Sequence, residues 1–342
     1  MTGSVFMKAK HNERGRGARH ARAWLTGTAL GTAALAAAYT DVMTSIVARR
    51  RSPLASRISG LCMGKKREPE QAEQVRRAAA QLLKQPTEEV SLINREGMTL
   101  KAHWYHVENP KRLLILVHGW HSVWNRDFGM SAPFYHENDC EMLLIEQRSH
   151  GASEGKLIAY GARERYDVME WLSYARGVCP TLPIYLGGVS MGAATVLLCA
   201  GEPAAADSVT AIIADCGYTV AEEVVSERMR TLLRGATDVT MKAVDLNCRL
   251  RGGFTLKECS TKESLAKDRT VPVLFIHGDA DELVPCSMTL ENYLACAAPK
   301  ELLIVHGAGH ACSFLADPDT YKSRVLAFFA EWDTRLHTED AE

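Results

Sequence analysis

The chain has 342 residues, enough for one large domain or two ordinary ones, and its 46% apolar and 24% charged residues are typical of a globular protein. The net charge of −1 is unevenly distributed, because residues 1–67 carry 13 Lys and Arg against two acidic residues. An N-terminal segment rich in basic residues, followed by an acidic remainder of the chain, indicates a targeting or membrane segment and argues against a nucleic-acid partner.

The basic N-terminal segment, residues 1–22, precedes a charge-free run of 18 residues at Ala23–Thr40. Crossing a bilayer takes about 20 apolar residues, which this run reaches only by extending to residue 48. We predict a single-pass membrane anchor at 23–48. The alternatives are a cleaved signal peptide with a small-residue cleavage site at 36–38, which makes the protein secreted, and an amphipathic or disordered cytoplasmic extension. Basic residues on both flanks leave the side of the membrane open.

The ten cysteines are scattered, with no C-x-x-C pair and no zinc-binding spacing. This usage is typical of a reducing compartment and argues mildly against export. We interpret Cys216 and Cys312 as packing residues.

Residues 49–87 are predicted as a basic linker and a helix over Glu70–Lys84, which Pro86 closes. A hairpin follows between Val90 and His106, with its turn at 95–97.

From residue 113 apolar strands alternate with helices, which predicts an α/β domain over 88–342 with a mostly parallel sheet covered by helices on both faces. The strands are predicted at 113–117, 141–145, 183–187, 211–214, 271–276 and 301–305, and the helices at 133–137, 162–177, 191–201, 288–298 and 320–336.

A pentapeptide, Gly188-Val189-Ser190-Met191-Gly192, joins a predicted strand to a predicted helix. A G-x-S-x-G pattern in this setting is that of a nucleophile elbow, where glycines permit a sharp turn that exposes the serine hydroxyl. A turn of small residues without a catalytic role would give the same pattern in isolation. The other motifs of the chain therefore decide between the two interpretations.

About 55 residues separate Asp215 from Thr270, which is more than a strand connection needs. Helical periodicity recurs in pieces over 220–233, 239–250 and 256–265. We predict a helical cap at about 216–270, placed over the carboxyl ends of the strands, where α/β sheets bind ligands.

Three further motifs follow predicted strands. The loop His118-Gly119-Trp120 could aim a backbone N–H at a substrate carbonyl, with the amide of Met191 as the second oxyanion donor. The loop after residue 276 offers three acids, Asp279, Asp281 and Glu282, and Asp215 is a fourth candidate. A glycine loop after residue 305 carries His310. The order serine, acid, histidine is that of a hydrolase triad.

Over residues 88–336 the chain resembles the α/β-hydrolases, and within them the serine aminopeptidase and prolyl-oligopeptidase-like esterase branches. The segment 146–155 is similar to the D-x-R-G-H-G-x-S-x-G segment of that group, with Glu146 and Ser149 in place of aspartate and glycine. The loop at 277–285 is similar to the pattern H-G-x-x-D-x-x-V-P. The resemblance implies that Asp281 is the acid and His310 the general base.

The implied reaction is attack by Ser190 on an acyl carbonyl, with His310 as the base, Asp281 as its partner and the amides of Trp120 and Met191 as the oxyanion hole. It requires no metal and no organic cofactor. His121 and Tyr218 are candidates for the substrate pocket.

The predicted partner is a small-molecule acyl or peptide substrate, and the leading function is carboxylic-ester hydrolysis. A peptidase of the aminopeptidase type is the alternative, for which Glu222, Glu223 and Glu227 could hold a substrate amine. A non-catalytic binding protein on a hydrolase fold is a third hypothesis. The sequence leaves the oligomeric state open.

Overall fold

The computed structural model describes residues 34, 36–45, 48, 68–233, 237–258, 260–267 and 270–339. The predicted basic segment 1–22, most of the predicted anchor and the predicted linker up to residue 67 lie outside the described residues.

Eight strands form one sheet in the spatial order β1-β2-β4-β3-β5-β6-β7-β8. In chain order they are β1 Thr87–Ile93, β2 Thr99–Tyr105, β3 Arg112–Val117, β4 Cys140–Glu146, β5 Ile184–Val189, β6 Ala211–Asp215, β7 Val273–Gly278 and β8 Lys300–Val305. β2 pairs antiparallel with β1 and β4, and all other neighbours pair in parallel. The predicted mostly parallel sheet is therefore confirmed.

Helices cover both faces of the sheet, as predicted. They are α1 Pro69–Leu82, α2 Trp124–Phe128, α3 Ala132–Glu137, α4 Glu164–Val178, α5 Met191–Cys199, α6 Pro203–Ser208, α7 Ala221–Leu233, α8 Thr237–Gly252, α9 Thr261–Lys267, α10 Cys286–Ala295, α11 Ser313–Ala316 and α12 Pro318–Glu339. Of these, α2, α6 and α11 are short helices that the sequence reading did not predict.

The central strands are buried on both sides because successive side chains point to opposite faces of a sheet. Along β3, Leu113, Ile115 and Val117 join an apolar cluster with residues of α4 and α5. Leu114 and Leu116 join a second cluster with residues of α2, α3 and α12. This two-sided burial explains why the strands read as continuous apolar runs.

The segment between β6 and β7, the cap segment 216–270, forms α7, α8, a short 3-10 helix at Leu256–Glu258 and α9. Apolar side chains of α7 and α8, among them Val225, Met229 and Met241, pack in one cluster with Met191 and Leu198 of α5. The cap segment therefore lies against the helix that begins at the predicted nucleophile.

Residues 36–45 are helical and contact α8. Asn247 donates a hydrogen bond to Thr44 Oγ1 at 2.9 Å, and Asp41 and Arg251 form an ion pair at 2.5 Å. Met43 and Thr44 are buried. This part of the predicted anchor therefore packs on protein.

None of the described helices is long and apolar enough to cross a bilayer. The described residues thus do not support the predicted membrane anchor, and the remainder of that segment lies outside them.

Candidate active site

Ser190 lies between β5 and α5 with φ 57° and ψ −118°, a conformation that non-glycine residues rarely adopt. Its N–H donates to the carbonyl of Asp215 at 2.8 Å. A Cβ on Gly188 would stand 2.6 Å from the nitrogen of Ala193, and a Cβ on Gly192 would overlap the carbonyl oxygen of Val117. The sharp turn therefore requires both glycines of the pentapeptide.

His310 connects Ser190 to Asp281. Its Nε2 is 2.9 Å from Ser190 Oγ, and its Nδ1 is 2.7 Å from Asp281 Oδ2. The three residues follow β5, β7 and β8, whose parallel pairing brings their carboxyl ends to one edge of the sheet. A histidine oriented in this way can accept the serine proton through Nε2 while Asp281 fixes Nδ1–H.

Asp281 is buried and accepts several hydrogen bonds. Its Oδ1 accepts the backbone N–H groups of Leu283 and Val284 at 2.8 and 2.9 Å, and its Oδ2 lies 3.1 Å from His277 Nε2. Burial alone would favour the neutral acid, but the hydrogen bonds from His277 and His310 hold the pKa of Asp281 well below its ordinary value. The carboxylate is therefore ionised over the range in which proteins are usually handled.

The other acid candidates lie elsewhere. Asp279 accepts from His306 Nδ1 and from the N–H of Gly307, both at 2.7 Å, on the exposed surface. The backbone carbonyl of Glu282 accepts from Arg228. Asp215 is buried, accepts from Ser313 Oγ at 2.8 Å, and has a pKa that burial raises to about 6. The acid that the structure brings to His310 is thus Asp281.

The loop after β3 lies beside Ser190, since a Cβ on Gly119 would be 3.3 Å from the Cβ of Ser190. Asp127 holds this loop, because its carboxylate accepts from the N–H of Gly119 at 2.7 Å and from Ser122 Oγ at 2.5 Å. His118, the first residue of this loop, is fully buried, and desolvation lowers the pKa of its imidazole. The neutral ring hydrogen-bonds the carbonyl of Gly119 through Nδ1 at 2.8 Å.

The two predicted oxyanion donors, Trp120 and Met191, belong to segments that adjoin Ser190. Trp120 follows Gly119 in the loop, and Met191 is the first residue of α5. Amides in the first turn of a helix have no acceptor within the helix and point outward along its axis. The Met191 amide is therefore one of the helix amides without an intrahelical acceptor, and its role as an oxyanion donor stays a prediction.

His150 is a residue of this site that the sequence reading missed. Its Nε2 accepts from the backbone N–H of His121 at 3.0 Å, and its Nδ1 lies 2.9 Å from the carbonyl of Arg148. His121, with φ 49°, stacks on Trp120 with ring centroids 4.1 Å apart. His150 thus fixes the backbone one residue beyond the predicted oxyanion donor.

The two predicted pocket residues are both buried, His121 at 3% and Tyr218 at 3% exposure. The hydroxyl of Tyr218 donates to the carbonyl of Tyr160 at 2.8 Å, which ties the start of the cap segment to the loop before α4. Both side chains are therefore engaged in protein contacts at the margin of the site.

The segment 146–155 lies close to the loop after β3, because His150 contacts the N–H of His121. Glu146 pairs with His103 at 3.0 Å, and Arg148 pairs with Asp167 at 2.6 Å, inside the protein. Ser149 has φ 64°, a left-handed backbone that favours glycine. Its hydroxyl donates to the carbonyl of Leu157 at 2.8 Å, which offsets part of the strain.

Within the described residues one group of side chains could hold a metal ion. Cys216, Asp281 and His310 each offer one ligand atom, and these atoms lie within 4.8 Å of one another. Cys312, by contrast, directs its thiol at the carbonyl of His310 at 3.3 Å.

Comparison with known proteins gives the following similarities. Residues 114–323 match the sequence profile described as the alpha/beta hydrolase family. The chain is 32% identical over 188 residues to YqkD, an uncharacterised protein of Bacillus subtilis, an alignment that covers 55% of this chain and 61% of YqkD. The match thus spans less than two thirds of that relative.

Among solved structures, the esterase Pf2001 of Pyrococcus furiosus superposes with a TM-score of 0.61 at 20% identity, covering 74% of this chain and 95% of that one. Est1E of Butyrivibrio proteoclasticus, solved with ferulic acid bound, superposes with a TM-score of 0.56 at 20% identity, covering 71% and 98%. Identities at this level show a shared fold.

Proposed function

Because the chain belongs to the alpha/beta hydrolase family, we propose that it is a serine hydrolase that cleaves a carboxylic ester through an acyl-enzyme. The observation that carries this proposal is the hydrogen-bonded series Ser190 Oγ, His310 and Asp281, with distances of 2.9 and 2.7 Å. Of the two structural relatives named above, Pf2001 is an esterase and Est1E binds ferulic acid.

In the proposed reaction Ser190 Oγ attacks the ester carbonyl while His310 Nε2 takes its proton and then passes that proton to the leaving alcohol. The ionised Asp281 stabilises the protonated ring of His310 and fixes its orientation. Water then attacks the acyl-enzyme, and His310 acts as base a second time. The positive φ of Ser190 projects the hydroxyl away from the sheet and toward the substrate.

The amides of Trp120 and Met191 are the proposed donors to the oxyanion. Donors that are fixed before the reaction stabilise developing charge without reorganisation, and removing one such donor commonly costs about 2.7–4 kcal/mol of transition-state stabilisation. The contacts of Asp127 and His150 hold the loop that carries Trp120, which fits this role.

The surroundings of the site favour an apolar acyl group of small or medium size. Trp120 and Leu283 are half-buried and pack against the apolar cluster between the cap segment and α5, to which the buried Met191, Val284 and Met288 belong. An acyl chain that replaces water on the exposed parts of Trp120 and Leu283 gains roughly 0.8 kcal/mol for each buried methylene.

The contacts of the cap glutamates favour an ester over a peptide with a free amine. Glu222 lies 3.7 Å from Lys257, and Glu227 pairs with Arg230 at 3.2 Å. The third candidate, Glu223, accepts a hydrogen bond from Thr219 Oγ1 at 3.4 Å. Carboxylates already paired with cations offer less to a substrate amine than free ones.

The test compares hydrolysis of p-nitrophenyl butyrate with hydrolysis of aminoacyl-anilides, together with labelling by a fluorophosphonate probe. We expect ester turnover, labelling of the wild type and neither in Ser190→Ala. Cleavage of the anilides alone would support the peptidase alternative. A wild-type protein that the probe leaves unlabelled would overturn the proposal.

A matched pair of variants tests the acid. Asp281→Asn should lower kcat by about 10⁴-fold, because an amide at this position no longer fixes the reactive tautomer of His310. Asp279→Asn, two residues earlier on the surface, should keep the wild-type kcat. Equal losses in the two variants would contradict the assignment of Asp281.

A further inference from the structure

The thiol of Cys216 lies beside the Asp281–His310 pair, and one ligand atom from each of the three residues falls within 4.8 Å of the others. Thiolate, imidazole and carboxylate are the donors that Zn²⁺ binds in proteins. We infer that Cys216, Asp281 and His310 form a binding site for Zn²⁺ that inhibits the enzyme. The inhibitory part of this inference rests on the proposed function.

The spacing is close to that of a zinc site. With bonds of about 2.0–2.3 Å in a tetrahedral arrangement, neighbouring ligand atoms stand roughly 3.3–3.8 Å apart. The ligand atoms here lie within 4.8 Å of one another, an upper limit somewhat longer than this spacing, and the 2.7 Å between His310 Nδ1 and Asp281 Oδ2 is somewhat shorter than it. Small side-chain rotations would shorten the longer distance and lengthen the shorter one. The His310 side chain is 16% exposed, so an ion can enter from its side.

Cys216 follows β6 with φ 51° and is buried beside Asp281 and His310. Burial, together with the nearby carboxylates of Asp215 and Asp281, raises the pKa of its thiol well above the ordinary value. The thiolate at Cys216 would therefore form only with the ion, because a bound Zn²⁺ deprotonates a thiol that coordinates it.

Zinc at this position removes the proposed base by a balanced exchange of protons. In the resting site His310 carries its proton on Nδ1, facing Asp281, and Nε2 accepts from Ser190. When Zn²⁺ binds Nδ1, the ring proton moves to Nε2 through solvent, and the thiol proton of Cys216 is released to solvent as the zinc–sulfur bond forms. Nε2 then carries a proton and cannot accept one from Ser190, so acylation stops.

The donor set also determines which ions should act. Mg²⁺ and Ca²⁺ bind through oxygen ligands in larger numbers, so a single carboxylate with a thiolate and an imidazole does not suit them. The ligands follow three different strands, which is why the spacing of the cysteines along the chain showed no metal motif.

The experiment uses the full chain in two parallel measurements. Hydrolysis of p-nitrophenyl butyrate is followed against ZnCl₂ and MgCl₂, and zinc binding is measured separately by competition with a chromophoric chelator. Cys216→Ala and Cys216→Ser are compared with Cys286→Ala, which removes a half-buried thiol five residues after Asp281 that lies outside the group.

We expect zinc to inhibit the wild type and Cys286→Ala alike, EDTA to restore activity, and Mg²⁺ to have no effect. Both Cys216 variants should keep their turnover within about threefold and lose at least about tenfold in zinc affinity, since one ligand of three is gone. Wild-type zinc sensitivity in both Cys216 variants would overturn the inference. If the wild type hydrolyses no ester, the proposed function is wrong. The difference in zinc affinity between the wild type and Cys216→Ala then still shows whether Cys216 belongs to a zinc site.

Discussion

His277 Nε2 lies 3.1 Å from Asp281 Oδ2, the carboxylate oxygen that also accepts from His310 Nδ1 at 2.7 Å. The same Nε2 is 3.0 Å from the carbonyl of Val284, so it faces two acceptors and must carry a proton. The ring is fully buried, with Nδ1 2.6 Å from Thr289 Oγ1. One carboxylate oxygen thus serves two histidines, only one of which reaches the serine.

Replacing His277 should therefore impair turnover through Asp281. A hydrogen bond to a charged group contributes about 1.5–3 kcal/mol, so we expect His277→Leu to lower kcat by roughly 10- to 100-fold. KM should stay unchanged, because the ring is buried behind Asp281 and does not line the site. His277→Gln, which keeps a donor, should recover most of the loss. Steady-state kinetics measures kcat and KM of the two variants, and urea unfolding checks that they are folded. An unchanged kcat in His277→Leu would contradict the role of His277 in supporting Asp281.

Loss of His150 should loosen the loop that carries Trp120. The N–H of His121 would lose its acceptor, and we expect His150→Leu to lower kcat by about tenfold with little change in KM. His150→Asn offers an acceptor oxygen at nearly the same place and should recover part of the activity.

The matched control is His136→Leu, since His136 lies in the last turn of α3 on the side away from Ser190, where it hydrogen-bonds the carbonyl of His106 and stacks on Tyr105. Labelling by a fluorophosphonate should slow in parallel with kcat, because it also depends on the oxyanion site. A loss of stability without a change in the labelling rate of the folded protein would show that His150 has a structural role alone.

The arrangement of Ser190, Asp281 and His310 could be anticipated because each follows an apolar strand, and parallel strands bring such ends together. The choice between Asp279 and Asp281 could not be made from spacing. The two acids are two residues apart in one turn, and the folded loop directs one to His306 and the other to His310.

Both supporting histidines lie in motifs that the sequence shows, His150 in the segment 146–155 and His277 in the loop 277–285, but neither motif gives the role of its histidine. His150 acts on a backbone amide 29 residues earlier in the chain, and His277 lies next to the last residue of β7, from where it contacts Asp281. The short helices α2 and α6, with 5 and 6 residues, are too brief for helical periodicity to be visible. Residues 36–45 read as part of an apolar run, yet their contacts with α8 depend on polar side chains such as Thr44 and Asp41.

Asp215 should make stability depend on pH in a predictable direction. Burial raises its pKa from 3.8 to about 6 in the folded protein, so the folded state holds this proton more tightly than the unfolded state. Its favourable contribution is complete below pH 3.8 and is lost as the pH rises through 6. Above that range a buried carboxylate costs about 3 kcal/mol.

Asp215→Asn removes this charge and should be more stable than the wild type at pH 8. Its advantage should be larger by about 1–1.5 kcal/mol at pH 8 than at pH 5. Urea unfolding at the two pH values measures it. Asp279→Asn is the control, because hydrogen bonds from His306 and Gly307 lower the pKa of Asp279, and its removal cannot produce a gain that grows with pH. An advantage that is equal at pH 5 and pH 8 would contradict the account of Asp215.

Gly192 should tolerate no side chain. A Cβ there would overlap the carbonyl oxygen of Val117 and stand 2.7 Å from the carbonyl oxygen of His118, and neither backbone group can move without shifting β3. We expect Gly192→Ala to lower the free energy of unfolding by about 3 kcal/mol or more, as overpacking against backbone does. Any folded fraction should also lose turnover, because the helix that presents the Met191 amide is displaced.

Gly177→Ala is the matched substitution, since it adds the same methyl group within α4 where no atom lies within 4 Å. It should leave stability unchanged or raise it by up to about 1 kcal/mol, as alanine favours the helix over glycine. Urea unfolding of the two variants beside the wild type measures the difference. A Gly192→Ala protein as stable as Gly177→Ala would mean that β3 and α5 do not approach as closely as the Ser190 turn requires.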